Sequence, residues 1–248
     1  MKAHLILRLE APLMSFGAEA IDNRGVVQDF PALSMVTGLL GNALGWRRGH
    51  DAARLQRLQG RLVMAARLDR PGSRLTDFQT AQLAKDDKGW TTRNRPEGRG
   101  GGDETYRSPH LRYRDHAADG LCIVALRLEP SGESPTLDDL EEALERPARP
   151  LFIGRKPCLP SAPILVGRVE ADDVLAALRT LPWQGEASAT RRERRRPPGR
   201  APATWPEGEG NARGVAVTVT DERNWHASVH GGARATRRGE IELVGAAP

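Results

Sequence analysis

The chain has 248 residues, of which 39% are hydrophobic. That fraction is enough to bury a core, so the chain as a whole is not disordered, and no run of about eighteen apolar residues exists to make a membrane-spanning helix. The net charge is +5, and all but four of the 37 basic residues (Lys2, Lys85, Lys88 and Lys156) are arginines. Arginine suits phosphate and base recognition through its planar fork of donors. A GC-rich genome, which raises Arg, Ala, Gly and Pro together, accounts for the global count equally well. Local clusters of arginine still point to a polyanion. Residues 1–9 lack the apolar block and cleavage site of a signal peptide, so a cytoplasmic location is expected. The two cysteines, Cys122 and Cys158, offer neither a metal-ligand pattern nor a disulfide framework. No cofactor and no metal are expected.

In chain order, residues 4–9 alternate around Leu5, Leu7 and Leu9 and predict a strand. Ser34 is placed to cap a helix over 35–46, with Val36, Leu39, Leu40 and Leu44 at helical spacing. A short helix near 51–58 and a second strand over 61–68 follow. Residues 70–120 read as one long irregular stretch, and 121–128 (LCIVALRL) as a third strand. Thr136 caps a helix that Pro147 ends, and 164–169 is a fourth strand. The order β-α-β-β-α-β predicts an α+β, ferredoxin-like (RRM-like) core over residues 1–170, with an insertion at about 70–120 and helices on one face of the sheet. A smaller β-rich part spans 171–248. It holds a helical pattern at 174–178, an Arg/Pro-rich loop at about 187–213, and a hairpin of 215–220 with 225–230 that turns at 221–224.

Three segments stand out. The insertion interleaves Arg93, Arg95, Arg107 and Arg112 with Trp90, Tyr106 and Tyr113. Charge for the backbone and rings for the bases is what single-stranded nucleic acid needs. Six acids, including Asp86, Glu97 and Asp115, leave a solvated surface loop as the competing reading. FPALSMVTGLLGNALG (30–45) carries Gly38, Gly41 and Gly45, which weaken a helix unless something packs close. Gly41 and Gly45 are expected to serve packing, and the N–H groups at the Ser34 helix start to hold a phosphate. LFIGRKPCLPSAP (151–163) sets Arg155 and Lys156 in a stiff loop suited to phosphate contact. His226 and His230 are expected to face one side of a strand without further metal ligands. His110, Tyr113 and His116 are the groups a metal-independent ribonuclease would draw on. A solvated loop histidine is the plainer reading.

Together these segments resemble the CasD family, the RAMP-type subunits of the type I-E CRISPR surveillance complex Cascade. The likeness is carried by LILRLEAPLMSFG (5–17), FPALSMVTGLLG (30–41), LFIGRKPCLPSAPILVG (151–167), Asp77, Phe78 and Thr80, and the closing Arg223, Trp225, Gly231 and Gly232. The family's Arg-Arg pair reads Arg155-Lys156 here, and an aromatic element before the third strand is lost in 114–119. The resemblance implies a non-catalytic subunit of a ribonucleoprotein in antiviral defence. It would grip the 5′ handle of the CRISPR RNA and cap the backbone, with the insertion as a thumb against a CasC-type subunit. A CasA-type large subunit is a second protein partner, target DNA a further candidate, and no membrane is involved. The RNA-contacting set is then Arg24, Ser34, Arg93, Arg95, Arg107, Arg112, Arg155 and Lys156. The alternative is a metal-independent endoribonuclease that processes repeat RNA, as in type I-C systems.

Overall fold

The structure is a computed structural model that describes residues 1–18, 23–82, 109–185 and 198–243. The chain opens with strand β1 (Lys2–Met14) and a two-residue strand β2 (Arg24–Gly25). Helices α1 (Leu33–Ala43) and α2 (Ala52–Arg61) lead into β3 (Leu62–Arg70) and β4 (Ser73–Ala81). Then come β5 (His110–Leu128), α3 (Leu137–Glu145), β6 (Leu165–Ala171) and α4 (Val174–Arg179). The C-terminal part contributes β7 (Arg200–Pro206), β8 (Val215–Val219), β9 (Arg223–Asn224), β10 (Val229–His230) and β11 (Arg234–Glu242). Among the described residues the principal sheet runs β6-β1-β5-β3-β7-β11-β8, with β2 and β4 each pairing to the outer half of β5.

The pleat of β1 divides the core. Successive side chains point to opposite faces, so Leu5, Leu7 and Leu9 pack with Val36 and Leu40 of α1 and with Leu140 and Leu144 of α3. Ile6 goes to the other face, with Ile123, Val174, Leu178, Trp205 and Ile241. Both faces of the central strands are therefore covered. The expected open face is closed by α4 and by β7, whose Trp205 is 1% exposed. Helix α3 begins as predicted: Asp139 N donates to Thr136 Oγ1 (3.3 Å), and Thr136 N donates to Asp139 Oδ2 (2.7 Å). This reciprocal box satisfies two N–H groups that a helix start leaves open.

Three expectations are corrected. The stretch 70–120 is not irregular throughout. β4 and the first part of β5 form an antiparallel arm from Ser73↔Ala118 to Ala81↔His110. Arg93, Arg95, Arg107, Trp90, Tyr106 and the glycine-rich run lie outside the described residues. The Arg/Pro-rich loop is likewise not all loop, because β7 begins at Arg200 and pairs with β3 and β11. The hairpin of 215–220 is made with β11 rather than with 225–230. Residues 221–232 form an excursion closed by a two-residue ribbon, Val229↔Asn224 and His230↔Arg223. His226 consequently sits in a turn rather than beside His230 on a strand.

His4 is fully buried in β1, and neither ring nitrogen has a hydrogen-bond partner. Burial, helped by the charge of Arg127, holds its pKa below the ordinary 6.5. The unfolded state thus takes up a proton that the folded state refuses. The contribution to stability is complete above pH 6.5 and is lost as the pH falls from there towards the depressed folded value, by up to about 1.4 kcal/mol per pH unit. Urea denaturation between pH 7.5 and 5.5 is expected to show this decline, and His4→Gln to flatten it. An unchanged slope in the variant assigns the decline elsewhere.

Candidate nucleic-acid interface

The candidate site is a groove of about 660 Å³ beside α1. One wall is the side of α1 that carries Ser34, Gly38 and Asn42. The glycine at 45, with φ +78°, ends that helix and releases the chain into Trp46, Arg47 and Arg48. Gly41 serves close packing: a Cβ there would stand 2.5 Å from Leu55 Cδ2 of α2. The second wall is the 152–155 loop with Arg149, and the third is the 223–230 excursion.

Each wall is tied down by named bonds. Arg149 donates to the carbonyls of Trp46 (2.7 Å) and Gly45 (2.6 Å). In the loop, Ile153 N donates to Cys158 O (2.8 Å) and Ser15 N to Ile153 O (3.1 Å). Gly154 lies at φ +91°, pressed against the Ser15 carbonyl. The excursion is anchored at Asp221, which accepts from Leu33 N (3.0 Å) and, at its carbonyl, from Ser34 N (3.0 Å). Arg234 donates to both Asp221 carboxylate oxygens, at 2.9 and 2.7 Å. Gln59 exchanges two bonds with the Arg223 backbone and accepts from Trp225 Nε1 (3.0 Å). Trp225 itself is buried against Ala52, Leu55 and Trp46.

These contacts relocate several expected residues. Ser34 does not cap α1: the N-cap is Ala32, and the N–H groups expected to take a phosphate are engaged by Asp221. Ser34 still lines the groove. Arg155 turns inward instead of standing at a loop tip. Its guanidinium donates to Asp115 O (2.8 Å) and Gly25 O (3.0 Å) and touches His116 Nε2 (3.4 Å). It therefore clamps the base of the arm and also borders the groove. Burial lowers its pKa, with the charge of Arg114 adding to the effect. Lys156 is exposed, with no carboxylate partner among the described residues.

On the arm, Arg24 reaches the buried Asp115 at 3.5 Å, and Arg74 reaches it at 3.6 Å. The Thr76 hydroxyl first, then these two charges, hold the Asp115 carboxyl below the usual range against its burial. Arg112 is exposed and donates to Leu111 O (3.0 Å). Phe78 and Tyr113 face each other across the ladder, ring centroids 5.1 Å apart. His110, Tyr113 and His116 all lie on β5. Strand alternation puts Tyr113 and His116 on opposite faces, and six residues separate the two histidines by about 20 Å. The ribonuclease group is not brought together.

Sequence reading missed Arg47, Arg48 and Arg149. The Trp-Arg-Arg run directly after the helix-ending glycine was the available signal. Among the described residues no carboxylate pairs with the side chains of Arg47, Arg48 or Arg223. The groove is thus a concave, cationic surface with aromatic walls, fitted to a polyanion that carries rings.

Comparison with known proteins identifies the family of the chain. The family model described as CRISPR-associated protein (Cas_Cas5) matches residues 4–237. The Escherichia coli (strain K12) protein named CRISPR system Cascade subunit CasD is 30% identical over 187 residues, covering 72% of this chain and 76% of that protein. A chain of a CRISPR RNA-guided surveillance complex superposes with a TM-score of 0.69 at 22% identity, covering 97% of this chain and 90% of the other. A structure titled Crystal structure of Cas protein gives 0.60 at 25% identity, with 96% and 95% covered. On these grounds the chain belongs to the Cas5 family of CRISPR-associated proteins, as the CasD-like motifs of its sequence imply.

Proposed function

We propose that this chain is a non-catalytic RNA-binding subunit of a Cascade complex and that the groove beside α1 holds the 5′ handle of the CRISPR RNA. The observation that carries the reading is the cluster of Arg47, Arg48, Arg149, Arg155 and Arg223 around one groove with Trp46 and Phe152. The arm of β4 and β5 is the stem of a thumb directed at a CasC-type neighbour, and a CasA-type subunit is the second protein contact. The ferredoxin-like reading of residues 1–170 is supported by the antiparallel order β6-β1-β5-β3 with α1 and α3 on one face. The β-rich part from 171 onward supplies the Arg223–His230 wall.

Arginine contacts to phosphate are charge-assisted, worth about 1.5–3 kcal/mol each, so each removed contact costs roughly tenfold or more in affinity. Arg47→Glu with Arg48→Glu is expected to weaken binding of single-stranded repeat RNA by about a hundredfold at low salt on that scale. The dependence of log affinity on log salt should become shallower as well. Fluorescence anisotropy across a salt series measures both quantities. Unchanged affinity and slope would place the RNA elsewhere. The same RNA incubated without metal is expected to stay intact. Specific cleavage that disappears in His116→Ala would replace this reading with the ribonuclease.

A further inference from the structure

We infer that Arg48 and Arg223 form a phosphate subsite within the groove, a two-guanidinium clamp on one phosphodiester of the bound strand. The inference rests on the groove being an RNA site and goes further by naming which residues take a backbone phosphate rather than a base.

Both side chains line the same cavity from different walls: Arg48 from the turn after α1, Arg223 from the excursion. Arg223 is held in place with care. Its guanidinium lies over the Trp225 ring, 5.6 Å from the centroid, and one nitrogen donates to Ser228 O. Its backbone is fixed on both sides by Gln59, and the next ring by Gln56 through Trp225 N (3.1 Å). Its Nε is buried without a hydrogen-bond partner. Burial first, and the charge of Arg48 second, disfavour its cationic form. Two guanidinium groups that line one cavity with no carboxylate partner among the described residues repel unless an anion lies between them. A phosphate supplies paired oxygens for two planar forks. A base would offer no compensating charge, and Trp225 is too buried to stack one.

The test is a linkage scan on the full chain. Short single-stranded repeat RNAs, each with one neutral methylphosphonate linkage, are bound to the wild type, Arg48→Gln and Arg223→Gln. The wild type is expected to lose about tenfold affinity at one linkage, the size of a lost charge-assisted contact. Both variants are expected to be weaker throughout yet to lose clearly less than the wild type at that same linkage, roughly threefold, because one of its two charged contacts is already gone. Each variant's salt slope should fall by about one. A linkage penalty identical in all three proteins overturns the subsite while leaving the groove as the RNA site. Wild-type protein that binds no RNA overturns the groove reading and the subsite with it. Should Arg223→Gln melt early, the exposed Arg48→Gln carries the comparison.

Discussion

Asp69→Ala is expected to destabilise the fold by about 3–5 kcal/mol, as removal of one partner from a buried ion pair does. Arg67 and Asp69 are both fully buried. The Arg67 guanidinium donates to Asp69 Oδ1 (2.6 Å) and Oδ2 (2.9 Å) and to the carbonyls of Leu178 (2.7 Å), Leu181 (2.8 Å) and Pro182 (3.0 Å). Every one of its N–H groups is thereby used. Asp69 in turn accepts from Gln184 N (2.8 Å), and its carbonyl accepts from Trp183 Nε1 (2.9 Å). The network fastens the end of α4 to β3, on the face opposite the groove. Alanine leaves a buried cation with no counter-charge. The double replacement Arg67→Met with Asp69→Leu should recover little of the loss, since the carbonyls of Leu178, Leu181 and Pro182 and the Gln184 N–H are then left without partners. Urea denaturation of the three proteins measures this. A single-variant cost below about 1 kcal/mol would mean that the pair is open to water.

Gly154→Ala is the second large effect. The residue sits at φ +91°, and a Cβ would lie 1.7 Å from the Ser15 carbonyl oxygen. The left-handed conformation alone costs about 1–2 kcal/mol for a residue with a Cβ, and the clash must also push the loop off β1. The melting temperature is expected to fall by roughly 4 °C or more, at about 2–4 °C per kcal/mol for a chain of this size. RNA affinity should fall with it. The neighbouring Arg155 can no longer reach Gly25 O and Asp115 O together when its loop shifts. A variant that melts like the wild type would show that the loop is free to relax.

The parts of the fold legible in the sequence are those whose signal is local. The Thr136 box starts α3 from residues three apart, and the LILRL and LCIVALRL runs declare buried strands through their own patterns. The arm escaped because β4 is exposed along nearly its whole length, so no apolar alternation marks it. β7 escaped because Pro202 and Pro206 argue against an interior strand, although Trp205 anchors it. The start of α1 is set by Asp221, 188 residues away from Leu33, which no local cap pattern reveals. At the site, Arg155 was legible as a cation but not as a clamp, because its partners are carbonyls of distant backbone. Arg223 and Trp225 were visible only as part of a family pattern. Their placement over α1 and α2 depends on Gln56 and Gln59, which look like ordinary solvent-facing helix residues.

The position of β1 sets the order in which the protein can be made. Of the described strands it leaves the ribosome before all others, yet its two neighbours are β5, paired from Leu5↔Leu126 onward, and β6, paired from Lys2↔Ala171 onward. At roughly 5–20 residues per second, translation reaches those neighbours only after some ten to thirty seconds. During that interval the apolar LILRL stretch has no native strand to join. Folding is thus a late, nearly all-at-once event on a long-range topology. Truncations before β6 are expected to aggregate rather than fold in part.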